Sequence, residues 1–307
     1  MKIATTTGDF GFYCPTDAER IRELHRAGFR YIDLNMYGFS PDCVYMQDGW
    51  REEVQKLKSL AESLGMTFVQ AHSQGGNPLS EDPAHVDFLL KATVRSIEIC
   101  EMLGIANTVV HSGFKSGISK EEWFEKNKSF YEKLFSSMEG CGVNVLCENS
   151  TSSNMGDCYF INTGKDMRAF IKYVDHPMIH GCWDTGHANC EGSQYDEIMA
   201  IGDELYAIHY NDNHGERDEH IAPFLGTLNH DEVLNALIDV NFKGYFTLEC
   251  DSPLTTYNKW TGRRRRFGDD GDRAKLREPQ LFMQRHIEAM MYETAEWMLR
   301  TYGLFEA

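Results

Sequence analysis

Short apolar segments alternate with longer amphipathic segments along almost the whole chain. Each short segment is a nearly continuous apolar run, which is typical of a strand in a parallel sheet that is covered on both faces. Each longer segment repeats its apolar residues with the period of a surface helix. The predicted strands, in chain order, are KIATTT, RYIDLNM, TFVQAHS, NTVVHSG, NVLCENS, MIHGCWDT, LYAIHYN and YFTLEC.

The residues that start and stop helices support the segments between these strands. The helix TDAERIRELHRAG has Thr16 as its N-cap and Gly28 at its end, and a long helix from PAHV closes at Gly104. A single helix is predicted for SKEEWFEKNKSFYEKLFSSMEGCG. Eight strand–helix units in succession indicate an α/β fold, a closed (β/α)8 TIM barrel that forms a single domain over residues 1–307. An open doubly wound sheet is the alternative, but TTTGDFGFYC lacks the GxGxxG spacing of its phosphate-binding turn.

One segment interrupts the alternation of strands and helices. Between the last strand and the last helix, an extended loop is predicted at about residues 251–280, and it carries the basic run Arg263 to Arg266. A run of like charges is usually solvated, so an exposed loop or a subunit contact is the favoured interpretation. An anion site for a phosphorylated substrate is the alternative, although acidic residues follow the run directly.

Net charge, apolar run length and cysteine content limit the substrates and the cellular location that are expected. The formal net charge of −17 disfavours a nucleic acid as the main substrate, because nucleic-acid binders present basic surfaces to phosphates. No apolar run has the roughly 18 residues of a membrane span, and the N-terminus lacks the pattern of a signal peptide. Nine cysteines without a CxxC pair favour reduced thiols. A cytoplasmic protein without a membrane segment is therefore expected.

Four consecutive predicted strands of the second half each end in a potential metal ligand. The residues are Glu148, Asp184, His209 and Glu249. The carboxyl ends of barrel strands open on one face, so these side chains are expected to converge on one cation. Three carboxylates and one imidazole suit a hard or borderline divalent ion, and the expected cofactor is one Mn²⁺, Mg²⁺, Co²⁺ or Zn²⁺.

More histidines lie at the same predicted rim. His72 ends the third strand, His111 the fourth, and His187 follows Asp184 in the DTGH motif. The loop YNDNHGERDEH adds further candidates, which are Asp212, His214, Asp218 and His220. A lone histidine is more often a hydrogen-bonding residue than a ligand, but clustering at one rim favours a role in the site.

The strand-end motifs resemble those of the xylose isomerase-like barrel superfamily, over nearly the whole chain. The most specific motifs are CENS, WDTGHAN, IHYND, DEHIAPFLG and TLEC. In members that act on sugars, the resemblance implies one divalent ion on Glu148, Asp184, His209 and Glu249, with His187 touching substrate or metal. The endonuclease IV branch uses three zinc ions. The resemblance implies extra ligands there at His72, His111, His187, Asp218 and His220.

The expected function is a metal-dependent sugar or sugar-phosphate isomerase or epimerase that moves a proton next to a carbonyl. Glu148 and Glu249 are the expected catalytic acid and base, acting beside a cation that stabilises an enediolate. Substrate-binding roles are expected for His72, His111, His187, Asp218 and His220. Trp183 and Phe114 are candidates for stacking on a sugar ring. Two alternatives stay open, a lyase that dehydrates a keto-polyol and an abasic-site nuclease. Among macromolecular partners, a second copy of the chain in a homo-oligomer is the expectation.

Overall fold

The computed structural model describes residues 1–251, 253 and 280–307. Within this part of the chain, eight parallel strands follow one another around a barrel in the order β7-β6-β5-β4-β3-β2-β1-β8. The strands are β1 Ile3–Thr6, β2 Tyr31–Asn35, β3 Thr67–His72, β4 Asn107–Val109, β5 Asn144–Glu148, β6 Ile179–Asp184, β7 Leu205–His209 and β8 Phe246–Leu248.

The ring closes between β7 and β8 just beyond the end of β7. The Tyr210 amide donates to the Thr247 carbonyl at 2.7 Å, and the Glu249 amide donates to the Tyr210 carbonyl at 3.1 Å. The predicted (β/α)8 barrel is therefore confirmed. Most of the predicted loop at 251–280, including Arg263 to Arg266, lies outside the described residues.

Helices separate the strands and cover the outside of the barrel. They are α1 Asp17–Ala27, α2 Trp50–Ser63, α3 Pro83–Leu103, α4 Lys120–Tyr131, α5 Phe135–Cys141, α6 Ser152–Met155, α7 Gly164–Val174, α8 Thr185–Glu191, α9 Tyr195–Ile201, α10 His230–Asp239 and α11 Leu281–Thr301. Among the described helices, none is long and apolar enough to cross a membrane.

The predicted caps of α1 and α3 are confirmed. Thr16 and Glu19 form a reciprocal capping box at the start of α1, which satisfies two free amide groups. Gly28 and Gly104 end α1 and α3 with φ of 110° and 77°, a backbone conformation that glycine adopts without steric cost.

The segment after β4 corrects one prediction. It is two helices rather than one, because a 3-10 turn at Glu132–Leu134 separates α4 from α5. Just before the turn, the buried Tyr131 side chain donates a hydrogen bond to the Val110 carbonyl at 2.7 Å. Leu134 in the turn and Met138 in α5 are also fully buried, so the apolar face continues across the break. Apolar periodicity alone does not reveal such a break, since a change of helix axis leaves the spacing of buried residues almost unchanged.

Alternate residues of each strand face the interior of the barrel, and the layer just below the strand ends is divided in two. On β4 to β7 this layer is an isolated apolar cluster, the apolar half-layer, formed by Val109, Leu146, Cys182 and Ala207. On β8 and β1 to β3 the equivalent positions are buried and polar, and this polar half-layer consists of Thr6, Asp33, Gln70 and Thr247. Each of these residues lies two positions before a residue at the carboxyl-end face.

Candidate metal centre

The four predicted strand-end ligands meet at the carboxyl-end face of the barrel. Glu148, Asp184, His209 and Glu249 each offer a ligand atom, and these atoms all lie within 4.8 Å of one another. Nδ1 of His209 is 2.5 Å from Oε1 of Glu148 and 3.3 Å from Oε2 of Glu249. One divalent ion can therefore contact all four residues. Oxygen-rich ligand sets with one imidazole fit Mn²⁺, Mg²⁺, Co²⁺ or Zn²⁺.

Two asparagines hold Asp184 in place. Asn149 accepts a hydrogen bond from the Asp184 amide at 2.7 Å and donates one to its carbonyl at 2.9 Å. Asn211 donates to Oδ2 of Asp184 at 2.8 Å, while Oδ1 accepts from the His187 amide at 2.6 Å and caps α8. Both oxygens of the carboxylate are thereby oriented before any ion binds, which is how well-defined metal sites are usually built. Neither asparagine was predicted, although each lies within two residues of a predicted ligand.

A second group of ligand type shares Glu148 with the first. His72, His111 and Glu148 offer ligand atoms within 4.8 Å of one another. Nε2 of His111 is 2.6 Å from Oε2 of Glu148, and Nε2 of His72 is 3.1 Å from Nε2 of His111. The Nδ1 atom of His72 lies 3.0 Å from the Ser73 carbonyl, to which an Nδ1 proton can be donated. That bond leaves the Nε2 lone pair of His72 facing the site.

A third group lies beside them and contains His187, Asp218 and His220. Nε2 of His187 is 3.1 Å from Oδ2 of Asp218, and Nε2 of His220 is 3.0 Å from Oδ1 of the same carboxylate. Nδ1 of His220 lies 2.9 Å from the Glu249 carbonyl, so this ring has the same arrangement as His72. Nδ1 of His187 is buried without a hydrogen-bond partner among the described residues.

The charges of the site perturb its carboxyl groups in opposite directions. Burial alone raises the pKa of Glu148, but the neighbouring His209 and His111 outweigh it and hold this pKa well below its ordinary value. Burial, together with the charge of Glu148, raises the pKa of Glu249 to about 7, against the opposing effect of His209 and His220. The two carboxyl groups therefore favour different protonation states near neutral pH, which is a common property of catalytic acid–base pairs.

The imidazoles of the site are also perturbed. Burial lowers the pKa of His187, but Asp184 and Asp218 outweigh it and raise this pKa to about 10. The pKa of His220 is raised well above its usual range, because Asp218 outweighs burial. Without a metal ion, these rings therefore carry protons that compensate the carboxylates. Such a mutual dependence of cations and carboxylates is expected where a protein concentrates metal ligands.

A cavity of about 800 Å³ opens above these groups. All the predicted ligands and substrate-binding residues line it except Asp184 and His209, which are fully buried beneath it. The further candidates Asp212 and His214 do not line it, and the exposed His214 ring contacts Glu219 instead. Tyr37 and Phe114 add aromatic surface to its wall, and Asn77 and Asn154 add amide groups. Among the described lining residues there is no lysine or arginine.

Several residues near the predicted site have structural roles instead. Trp183 is fully buried and donates to Gln194 at 3.1 Å, so it does not reach the cavity as a stacking surface. The Asp212 carboxylate accepts hydrogen bonds from the Gly226 and Leu228 amides at 3.0 and 2.9 Å, and thereby orders the loop after β7. Sequence position alone does not separate Asp212 from Asp218, because both lie in the same loop.

The fold and the site define the class of protein, a (β/α)8 barrel whose carboxyl-end face carries a set of metal-type ligands. The chain belongs to the xylose isomerase-like TIM barrel family, whose model matches residues 21–269. The resemblance seen in the strand-end motifs is therefore confirmed.

Relatives of known activity include sugar epimerases. The L-ribulose 3-epimerase of Methylomonas sp. (strain DH-1) is 25% identical over 241 residues, which cover 74% of this chain and 76% of that protein. The structure of D-psicose 3-epimerase with D-tagatose from Clostridium cellulolyticum matches with a TM-score of 0.71 and 19% identity, covering 97% of this chain and 99% of that chain. An AP endonuclease of family 2 from Brucella melitensis matches with a TM-score of 0.64 and 17% identity, covering 82% of this chain and 93% of that chain. At these identities the two solved structures show a shared fold.

Proposed function

We propose that the protein is a divalent-metal-dependent isomerase or epimerase of an unphosphorylated ketose-type sugar. The observation that carries the proposal is the placement of Glu148 and Glu249 within 2.5 and 3.3 Å of Nδ1 of His209, at the base of the cavity. Two carboxyl groups with opposite pKa shifts, next to a set of metal ligands, are suited to removing a proton beside a carbonyl and returning one. The sugar epimerases among the relatives support the same class of reaction.

Different residues have different roles in the proposed proton transfer. Glu148, with its lowered pKa, is ionised near neutral pH and accepts the proton from the carbon next to the carbonyl. Glu249, with a pKa of about 7, is able to donate a proton on the other side. In the reverse direction the two roles exchange. When bound, a divalent ion on Glu148, Asp184, His209 and Glu249 supplies electrostatic stabilisation for the negative charge that develops on the substrate oxygens. The imidazoles of His187 and His111 orient the hydroxyl groups of the sugar.

The charge of the cavity supports a neutral substrate. Its described lining carries the carboxyl groups of Asp82, Glu148, Asp218, Glu249 and Asp251, and no lysine or arginine. A phosphate group would be repelled by these carboxylates, without a lysine or arginine among the described lining residues to pair with it. A sugar without phosphate needs only hydrogen-bonding groups and aromatic surface, which Asn77, Tyr37 and Phe114 offer.

Proton exchange with solvent tests this proposal directly. L-Ribulose and D-psicose are incubated with Mn²⁺-loaded protein in D₂O, and deuterium at the carbon next to the carbonyl is measured by NMR. Glu148→Gln and Glu249→Gln should each lower the rate at least about 100-fold, because general acid–base groups typically contribute 10²–10⁴-fold. Loss of water from the sugar in the same spectra would identify a lyase instead.

Glu23→Gln is the matched control, because Glu23 is a buried glutamate that pairs with Arg26 and Arg285 in the helix layer. Its variant should exchange at the wild-type rate. Wild-type rates in both Glu148→Gln and Glu249→Gln would contradict the assigned acid–base roles. A homo-oligomer and a location in the cytoplasm stay predictions.

A second candidate function is supported by the three groups of ligand type. Glu148 belongs to two of them, and His187, Asp218 and His220 form the third. This arrangement offers places for three ions and favours an abasic-site nuclease of the endonuclease IV kind, a fold relative of which is the Brucella protein. The formal net charge of −17 and the acidic lining of the cavity oppose this alternative.

Counting ions separates the two functions. Elemental analysis of protein purified without chelator, combined with a cleavage assay on DNA that contains an abasic site, gives the readout. One ion per chain and no cleavage are expected for the sugar enzyme. Three zinc ions, together with cleavage that Asp218→Asn abolishes, would establish the nuclease. A set of three ions without cleavage would leave the sugar reaction but place metal at His187, Asp218 and His220.

A further inference from the structure

The His209 ring has two different surroundings. Its Nδ1 atom faces the carboxylates of Glu148 and Glu249 at 2.5 and 3.3 Å. Its Nε2 atom points into the barrel and is buried without a hydrogen-bond partner among the described residues. The Asp33 carboxylate is on this inner side, with Oδ2 at 3.4 Å from Nε2. A small rotation of the ring is enough to bring these two atoms into hydrogen-bonding distance.

Asp33 is itself held by a chain of polar side chains across the barrel. Gln70 donates to Oδ2 of Asp33 at 2.8 Å, and Thr247 donates to the amide oxygen of Gln70 at 3.4 Å. Asp33 is only 1% exposed, and its other oxygen, Oδ1, has no hydrogen-bond partner within the described part of the chain. The chain Thr247–Gln70–Asp33–His209 thus runs through β8, β3, β2 and β7, from the polar half-layer to the metal ligands.

A carboxylate at this position is costly unless it serves an interaction. Burying an ionised group without a partner is strongly unfavourable. Across the barrel, the same level is filled by apolar residues such as Leu146 and Val109. In the described residues, the ion pair of Asp33 is with His209 rather than with a lysine or arginine. Asp33 is therefore placed for the imidazole and not for packing.

We propose that Asp33 is a positioning residue for His209. It accepts the Nε2 proton, which fixes the tautomer whose Nδ1 lone pair points at the cation, and Gln70 and Thr247 keep its carboxylate turned towards the ring. A carboxylate behind a ligating histidine also makes the ring a stronger donor. This role rests on the metal centre of the proposed function, but it concerns ion affinity rather than the choice of substrate.

Calorimetric titration of metal-stripped protein with Mn²⁺ tests the role without any substrate. Asp33→Asn should weaken the affinity by about 10–100-fold, which is the typical effect of removing a hydrogen-bond partner of a ligand. Gln70→Met, which leaves Asp33 in place but removes its donor, should weaken it by a smaller factor. Asp17→Asn is the matched control, because Asp17 is a half-buried carboxylate on α1, bonded to Tyr45 at 2.6 Å and remote from the ligands.

The outcomes separate this role from the proposed function. Wild-type protein that binds no Mn²⁺, Co²⁺ or Zn²⁺ would contradict the metal centre and this role together. Wild-type protein that binds, with Asp33→Asn folded and equally tight, would overturn the role of Asp33 alone. If Asp33→Asn does not fold, wild-type affinity in Gln70→Met overturns it. Proton exchange in Asp33→Asn should recover towards the wild-type rate at saturating Mn²⁺, whereas a general loss of folding would not respond to the ion.

Discussion

The two half-layers inside the barrel lie at the same level, but one is apolar and the other is polar. The apolar half-layer, under the strand ends of β4 to β7, consists of Val109, Leu146, Cys182 and Ala207. The polar half-layer, under those of β8 and β1 to β3, consists of Thr6, Asp33, Gln70 and Thr247. Each of the ligands Glu148, Asp184 and His209 follows a residue of the apolar half-layer by two positions on the same strand. The side chains that reach the ligands from inside the barrel by hydrogen bonds belong to the polar half-layer.

The difference shows how the site is both rigid and polarised. Mainly apolar residues under the ligands exclude water, which strengthens the electrostatic interactions above them. Polar residues at the same depth must satisfy one another, and they do so through side-chain contacts such as Gln70 with Asp33. Stability is therefore expected to depend mainly on the apolar side, and orientation of the ligands on the polar side.

The largest effect on stability is expected from a cavity in the apolar half-layer. Leu146 is fully buried, and Leu146→Ala should lower the free energy of unfolding by about 2–5 kcal/mol, through lost burial and the space left behind. Thr247→Val in the polar half-layer keeps the volume and removes one 3.4 Å hydrogen bond to Gln70, so it should cost at most about 1.5 kcal/mol. Urea denaturation measures both. An equal loss of unfolding free energy in the two variants would contradict the proposal that stability depends mainly on the apolar half-layer.

A smaller effect on stability is expected from Gly186, which lies close to the residues that hold the ligand Asp184. A Cβ atom on Gly186 would lie 1.8 Å from Oδ1 of Asn211, the residue that holds Oδ2 of Asp184. Gly186→Ala should therefore displace Asn211, lower stability by about 1–3 kcal/mol and weaken Mn²⁺ binding by about 10-fold. Calorimetric titration and urea denaturation give the two values. Gly140→Ala is the control, because nothing lies within 4 Å of its new Cβ. Unchanged Mn²⁺ affinity in Gly186→Ala would mean that Asn211 does not position Asp184.

On the outer face of β1, a pair of buried carboxyl groups lies against α11 and makes the stability of the protein depend on pH. Asp9 accepts from Thr5 at 2.6 Å, and Glu288 on α11 accepts from Gln284 at 3.0 Å. Burial raises the pKa of both groups well above their ordinary values. The charge of Asp9 raises the pKa of Glu288 further, and the charges of Asp251 and Glu249 raise that of Asp9. The remaining oxygens, Oδ1 of Asp9 and Oε2 of Glu288, have no partner in the described residues.

A dependence of stability on pH follows from these raised pKa values. Each group contributes stability that is fully present below its unfolded pKa of about 4 and is lost as the pH rises through its higher folded pKa. Each unit of upward shift corresponds to about 1.4 kcal/mol. Glu288→Gln removes one of the two groups. The free energy of unfolding of the variant, minus that of the wild type, should therefore increase between pH 5 and pH 9. Urea denaturation at a series of pH values measures this difference.

Glu296→Gln is the control for this pH series, because Glu296 lies on the same helix and pairs with Arg300. Its difference from the wild type should stay flat over the same range. A flat difference for Glu288→Gln as well would show that Asp9 and Glu288 do not hold protons in the folded protein.

Much of the site could be predicted because parallel strands impose a common direction. Once Glu148, Asp184, His209 and Glu249 are placed at strand ends, the barrel brings them to one face regardless of its details. The break between α4 and α5, and the structural role of Asp212, were not predictable in this way. Both depend on which groups happen to lie nearby in space, and local periodicity contains no such information.

The sequence by itself determined the eight-unit barrel, the family and the set of residues at the carboxyl-end face, because these follow from short-range patterns repeated along the chain. The tertiary structure decided how that set is grouped, with Glu148 shared between two clusters and His187, Asp218 and His220 forming another. It alone brought Asp33 across the barrel to His209. Contacts between side chains on distant strands depend on register, twist and ring closure, which are properties of the whole folded chain.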